Sequence, residues 1–280
     1  MPMSAKNLAR IFLIVFIPVG LFVSTRSLTH APASNAAWGM ALAWAALQAL
    51  FIWLAVRRHP GRPANRWFWW AGLIAGMAGG IAIPSNGAIS SLQSAFDWPE
   101  WVAALLTPSA EETAKGLAVL FVAIGCVKLR RPIEATVLGI VVGGGFSIME
   151  NISYITQTAL QSLTSDVDGA LTGYLGRALA CPFSHSMYAG ILAWGIGCFI
   201  SRTDKDLGWR VRKLVTWFAL GYAVHAAYNA LPAFVASFNP DAQGLALVGA
   251  TALQWILVIW LYIRSRKIGR RQEPVGTLAG

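Results

Sequence analysis

The chain has 280 residues, 56% of them hydrophobic and only 12% charged, with a formal net charge of +10. A soluble domain carries about 25% charged residues, so this composition excludes a soluble globular protein and indicates a polytopic membrane protein. The positive excess would suit nucleic acid, but its distribution along the chain reads as membrane topology, and no nucleic-acid partner is expected.

A span needs about 20 mostly apolar residues. Eight are predicted in chain order, at 9–27, 36–56, 67–84, 99–126, 133–156, 177–200, 214–234 and 244–263. The fold class is therefore all-α, a polytopic bundle of about eight transmembrane helices. Lys6 and Arg10 precede the first span, and Arg57, Arg58, Arg62 and Arg66 follow the second. Lys128, Arg130 and Arg131 follow the fourth. Arg202, Lys205, Arg210, Arg212 and Lys213 follow the sixth, and Arg264, Arg266, Lys267, Arg270 and Arg271 follow the eighth. These are 19 of the 22 basic residues, all on one side. By the positive-inside rule that side is the cytoplasm, and an even number of spans puts both termini there. The stretch 157–176 reads as a solvated outer connection. Cys126, Cys181 and Cys198 lie in apolar runs without paired spacing and read as packing residues. No cleavable signal peptide, repeat or soluble domain is apparent, so residues 1–280 read as one integral membrane domain with a motif-bearing core at about 99–235.

Strongly polar residues recur in four consecutive spans. They are Glu111, Glu112 and Lys115, then Glu150 and Asn151, then His185, then His225 and Asn229. An ionised group in hydrocarbon costs several kcal/mol or more, so such residues mark function by default. At about 1.5 Å of rise per residue, Glu111, Glu150, His185 and His225 all lie about 18–26 Å from the basic edge. Four helices thus deliver polar groups to one layer. Glu111 and Lys115 share a helix face, as do His225 and Asn229. Pro108 and Pro182 interrupt the helices beside the layer. Gly143, Gly144 and Gly145 would permit close helix approach, or, with Gly173 and Gly176, line an opening for a substrate.

A carboxylate with histidines in a dry pocket suggests water activation. His225 and Asn229 would present two donors to a developing oxyanion. Alternatively, His185 and His225 with Glu150 would form a three-ligand zinc site with a fourth position for water. The H-E-x-x-H signature is absent, as are the nucleophile elbow, the Walker loop and the dinucleotide fingerprint.

Taken together, E-E-x-x-K at 111–115, F-x-x-x-E-N-x-x-Y at 146–154, His185 before a small-residue helix and H-x-x-x-N at 225–229 resemble the PrsW family. These bacterial intramembrane proteases are related to the type II CAAX prenyl proteases. The resemblance implies a multi-pass endopeptidase of the bacterial inner membrane. It would cleave a single-pass membrane protein, such as an anti-sigma factor, on the extracytoplasmic side of the bilayer. Carried over by motif, Glu111 and Glu112 are the glutamate pair, one of them the water activator, and His185, His225 and Asn229 complete the catalytic set. Lys115, Glu150 and Asn151 support it. Glu150 stands where the CAAX branch more often has histidine, and Lys115 departs from that branch's arginine one position further on. A CAAX substrate is therefore not expected, and zinc or no cofactor both remain open. Competing readings are a non-catalytic membrane scaffold or immunity protein and a proton-coupled transporter.

Overall fold

A computed structural model describes residues 4–29, 33–180 and 182–271, so Cys181 lies outside the described residues. Helix makes up 85% of the structure and no strand occurs among the described residues. The helices are α1 (Ala5–Thr29), α2 (Asn35–Val56), α3 (Phe68–Ala78), α4 (Pro84–Phe96), α5 (Glu100–Leu106), α6 (Pro108–Gly125), α7 (Pro132–Gln161), α8 (Asp166–Leu179), α9 (Ser184–Ser201), α10 (Leu207–Ala236) and α11 (Gln243–Arg271). Short 3-10 turns stand at Gly79–Ala82 and Pro240–Ala242.

Among the described residues, five stretches are long and apolar enough to cross a membrane: Ala5–Arg26, Asn35–Val56, Phe68–Phe96, Pro132–Gln161 and Pro240–Arg271. Helices α6, α9 and α10 fall short of that standard for a physical reason. They carry Glu111, Glu112, Lys115, His185, His225 and Asn229, the polar residues that lower their hydropathy.

Prolines set several boundaries. Pro84, Pro108 and Pro132 each occupy the first turn of a helix, where a missing N–H costs nothing. Pro108 thereby splits the predicted 99–126 span into α5 and α6. The predicted 157–176 connection is largely helical instead. Helix α7 continues to Gln161, and α8 starts behind Ser165, whose hydroxyl accepts from Asp168 N at 3.1 Å. Asp166 ties this corner to the start of α2 by accepting from Ser34 N at 3.1 Å.

Helix α7 is the centre of the bundle, buried along most of its length and flanked by α2, α3, α8 and α9. Its glycines explain how. A Cβ on Gly143 would lie 2.1 Å from the His185 carbonyl oxygen, and one on Gly145 would lie 2.2 Å from that of Leu73. Both are contacts no side chain could make, so these glycines bring α9 and α3 against α7. Gly144 packs on Ile52 of α2. The triple glycine closes α7 against three neighbours and does not line an opening. The remaining cysteines differ: Cys198 is buried as a packing residue, whereas Cys126 is exposed at the end of α6.

Candidate active site

The α7–α9 contact at Gly143 fixes His185 in the first turn of α9, beside Glu150 on α7. His185 Nε2 lies 2.9 Å from Glu150 Oε2. A carboxylate accepts, so this nitrogen carries the proton and Nδ1 presents its lone pair on the other side. His225 of α10 repeats the arrangement with its nitrogens exchanged. Its Nδ1 donates to Glu112 Oε1 at 2.7 Å, which leaves Nε2 facing away. The two rings meet edge to face with centroids 5.0 Å apart. Tyr188, one turn beyond His185, stacks on His225 at 4.4 Å.

The carboxylate between the inward-facing nitrogens is Glu111. Its Oε2 lies 4.0 Å from His185 Nδ1, 3.9 Å from His225 Nε2 and 3.9 Å from Lys115 Nζ. Its other oxygen accepts from Asn86 Nδ2 of α4 at 3.0 Å. Lys115 Nζ donates to Glu112 Oε1 at 2.5 Å and to His185 Nδ1 at 3.0 Å, and it lies 4.4 Å over the ring of Phe146. Glu111, Glu112, Lys115, Glu150, His185 and His225 are all buried; Glu112 and Lys115 have no exposed surface. Two oxygens in this cluster, Glu111 Oε2 and Glu112 Oε2, are buried without a hydrogen-bond partner. Leaving an acceptor so is costly, so each is a position where a water, an ion or a reactant would be stabilised.

Glu150 faces outward from this centre. Its Oε2 also accepts from Arg177 Nη2 of α8 at 2.5 Å, while Arg177 Nε donates to Asn151 Oδ1 at 2.5 Å. The Arg177 guanidinium lies 4.5 Å over the ring of Tyr154. Asn151 Nδ2 donates to Gln48 Oε1 of α2 at 2.9 Å, and Gln48 Nε2 in turn reaches Ser147 Oγ at 2.9 Å and Pro182 O at 2.7 Å. Asn151 is thus interhelical glue. Asn229 sits apart from the centre, its Nδ2 donating to Thr107 Oγ1 at the α5–α6 break, 3.2 Å away.

The spacing-based metal set therefore changes by one member. Glu111, His185 and His225 each offer one ligand atom, all within 4.8 Å of one another, whereas Glu150 holds the back of His185. The donor chemistry fits a divalent cation. Two neutral imidazoles and a carboxylate are zinc-type ligands, and each imidazole is backed by a carboxylate in the pattern that orients metal-binding histidines. Three glutamates against Lys115 and Arg177 leave the cluster one negative charge in excess. One adjustment is needed: the Lys115 ammonium must yield His185 Nδ1 and rely on Glu112, to which it is already bonded.

A buried Glu/His/His centre inside an all-helical bundle with membrane-spanning helices is an arrangement that hydrolysis within a membrane can use. The PrsW-protease family model, described as PrsW family intramembrane metalloprotease, matches residues 60–263, and the chain belongs to that family. No curated protein and no solved structure matches it.

Sequence reasoning missed Arg177, Asn86 and Gln48. Arg177 did leave a signal. Only Arg26, Lys115 and Arg177 stand outside the five basic clusters that set topology, and two of those three are in the site.

Proposed function

We propose that this chain hydrolyses a peptide bond of a single-pass membrane protein at the Glu111–His185–His225 centre. The observation that carries the reading is the unpartnered Glu111 Oε2, ringed at about 4 Å by two imidazole nitrogens and an ammonium. An ion held by Glu111, His185 and His225 would polarise the scissile carbonyl and make its water a stronger acid. The chain's own groups do the rest. Glu150 and Glu112 fix the tautomers of the two histidines. The attacking water gives its proton to one of the two unpartnered carboxylate oxygens as its oxygen bonds the carbonyl carbon. That proton then passes to the leaving amine as the C–N bond breaks. Lys115 offsets the charge of Glu112 and lies close enough to steady a developing oxyanion.

Eight spans with both termini cytoplasmic, in a bacterial inner membrane, remain the topology that the basic clusters support. An anti-sigma factor cut on its extracytoplasmic side is the substrate suggested by the family. The motif-bearing core at 99–235 holds all the groups named above except Asn86 and Gln48.

Quantitative profiling of protein N-termini in membranes of cells expressing wild type or Glu111→Gln, at matched folded levels, tests this function. We expect a new terminus beside a single membrane span with wild type only. Identical profiles, with proton-coupled uptake into proteoliposomes, would favour the transporter reading.

A further inference from the structure

At one end of the bundle the basic residues converge. Lys6 and Arg10 of α1 and Lys128 and Arg130 of the α6–α7 link line one cavity of about 610 Å³. Ile124 and Ile200 form part of its apolar wall. No acidic residue lines it, and among the described residues none of the four cations makes an ion pair. Elsewhere such pairs do form: Arg202 with Asp204 at 2.7 Å on the surface, and the largely buried Arg131 with Glu134 at 3.1 Å.

The helix end nearby engages one of the four cations: Gly125 O, at the end of α6, accepts from Arg10 Nε, and Cys126 O just beyond it accepts from Asn65 Nδ2, each at 3.0 Å. Lys6, Lys128 and Arg130 are left as exposed cations around a common space. Four like charges in one bowl repel one another unless an anion joins them.

We propose that this bowl binds the phosphate headgroup of an anionic phospholipid. Basic pockets between membrane helices at the bilayer surface are suited to such headgroups. A lipid fits better than free phosphate because apolar surface continues from the bowl. Ile14 of α1, one turn beyond Arg10 on the same helix face, is 70% exposed and would run beside an acyl chain. The site rests on the membrane placement of the helices and not on the hydrolytic reading.

The test titrates the full chain in detergent with phosphatidylglycerol or phosphatidylcholine and counts bound lipid by native mass spectrometry. The variants are Lys6→Ala/Lys128→Ala/Arg130→Ala and a control of equal charge, Lys205→Ala/Arg212→Ala/Lys267→Ala, all at exposed positions. Wild type should prefer phosphatidylglycerol. The pocket variant should bind it at least about tenfold more weakly, and the control should stay within about twofold of wild type. Lys6→Arg/Lys128→Arg should retain binding, which separates lost charge from lost folding. Equal weakening in the control, equal affinity for phosphatidylcholine, or displacement of the lipid by an equal concentration of inorganic phosphate would overturn the assignment.

Discussion

Glu111 and Glu112 are neighbours in sequence with different duties. Glu111 Oε2 faces both inward imidazole nitrogens, whereas Glu112 Oε1 is held by Lys115 and His225. Both Glu111→Gln and Glu112→Gln should lose about 10²–10⁴-fold in cleavage rate, the usual worth of a general base or its equivalent. On the proposal that zinc is the ion held by Glu111, His185 and His225, the zinc contents of the two variants should differ. Elemental analysis of the purified proteins should show zinc lost from Glu111→Gln and kept by Glu112→Gln; zinc retained by both would remove Glu111 from the ligand set. Arg177 acts one step further out, through Glu150 on His185. Partners of this kind typically contribute 10–100-fold in activity or metal affinity. Arg177→Ala should therefore cost about tenfold in kcat and weaken zinc retention, while Arg177→Lys restores part of both. An Arg177→Ala protein with unchanged zinc affinity would reduce Arg177 to a brace of α8.

At the scale of elements, the basic end of the bundle is tied by a loop outside the spans. His59, after α2, is buried; its Nδ1 accepts from Gly61 N at 3.0 Å, and Nε2 bonds Ser265 Oγ of α11 at 3.0 Å. Arg131 closes the same junction by donating to Pro60 O and Gly269 O, both at 3.1 Å. Burial, then the charges of Arg266 and Arg131, pull the His59 pKa down to about 4. The unfolded chain protonates near its ordinary value of about 6.5. Between these values the unfolded state binds more protons, so stability falls as pH drops, by up to about 1.4 kcal/mol per pH unit. The melting midpoint in detergent should therefore drop from pH 7 to pH 5, and His59→Gln should shrink that drop. An unchanged drop would show that other groups set it. The helices themselves were largely legible in the sequence, because apolar runs and prolines act locally. The site was legible as a layer because buried charge in lipid is conspicuous wherever it occurs. What stayed hidden was direction. Period and depth do not reveal that Glu150 turns toward Arg177, that Asn229 turns toward Thr107, or that α8 forms where a solvated loop was expected. Those outcomes depend on the packing partners that Gly143 and Gly145 admit.

For the whole molecule, burial is concentrated where chemistry is expected. The α7 helix carries the core, while α1, α2 and α11 leave most of their apolar surface outward, as lipid-facing helices do. The polar cluster is enclosed by α4, α6, α7, α9 and α10, with α8 backing it through Arg177. The reading also makes a claim about membrane sidedness. Cys126 is exposed beside the basic clusters, so a thiol reagent that cannot cross the membrane should label it in inverted vesicles and not in intact cells. The opposite pattern would reverse the topology. The most direct measurement is cleavage by the purified protein reconstituted in liposomes with a set of single-span membrane segments, scored by the masses of the products. The account predicts that wild type cuts within or beside a span and that Glu111→Gln, folded and equally incorporated, does not. Equal cutting by the two proteins would contradict it.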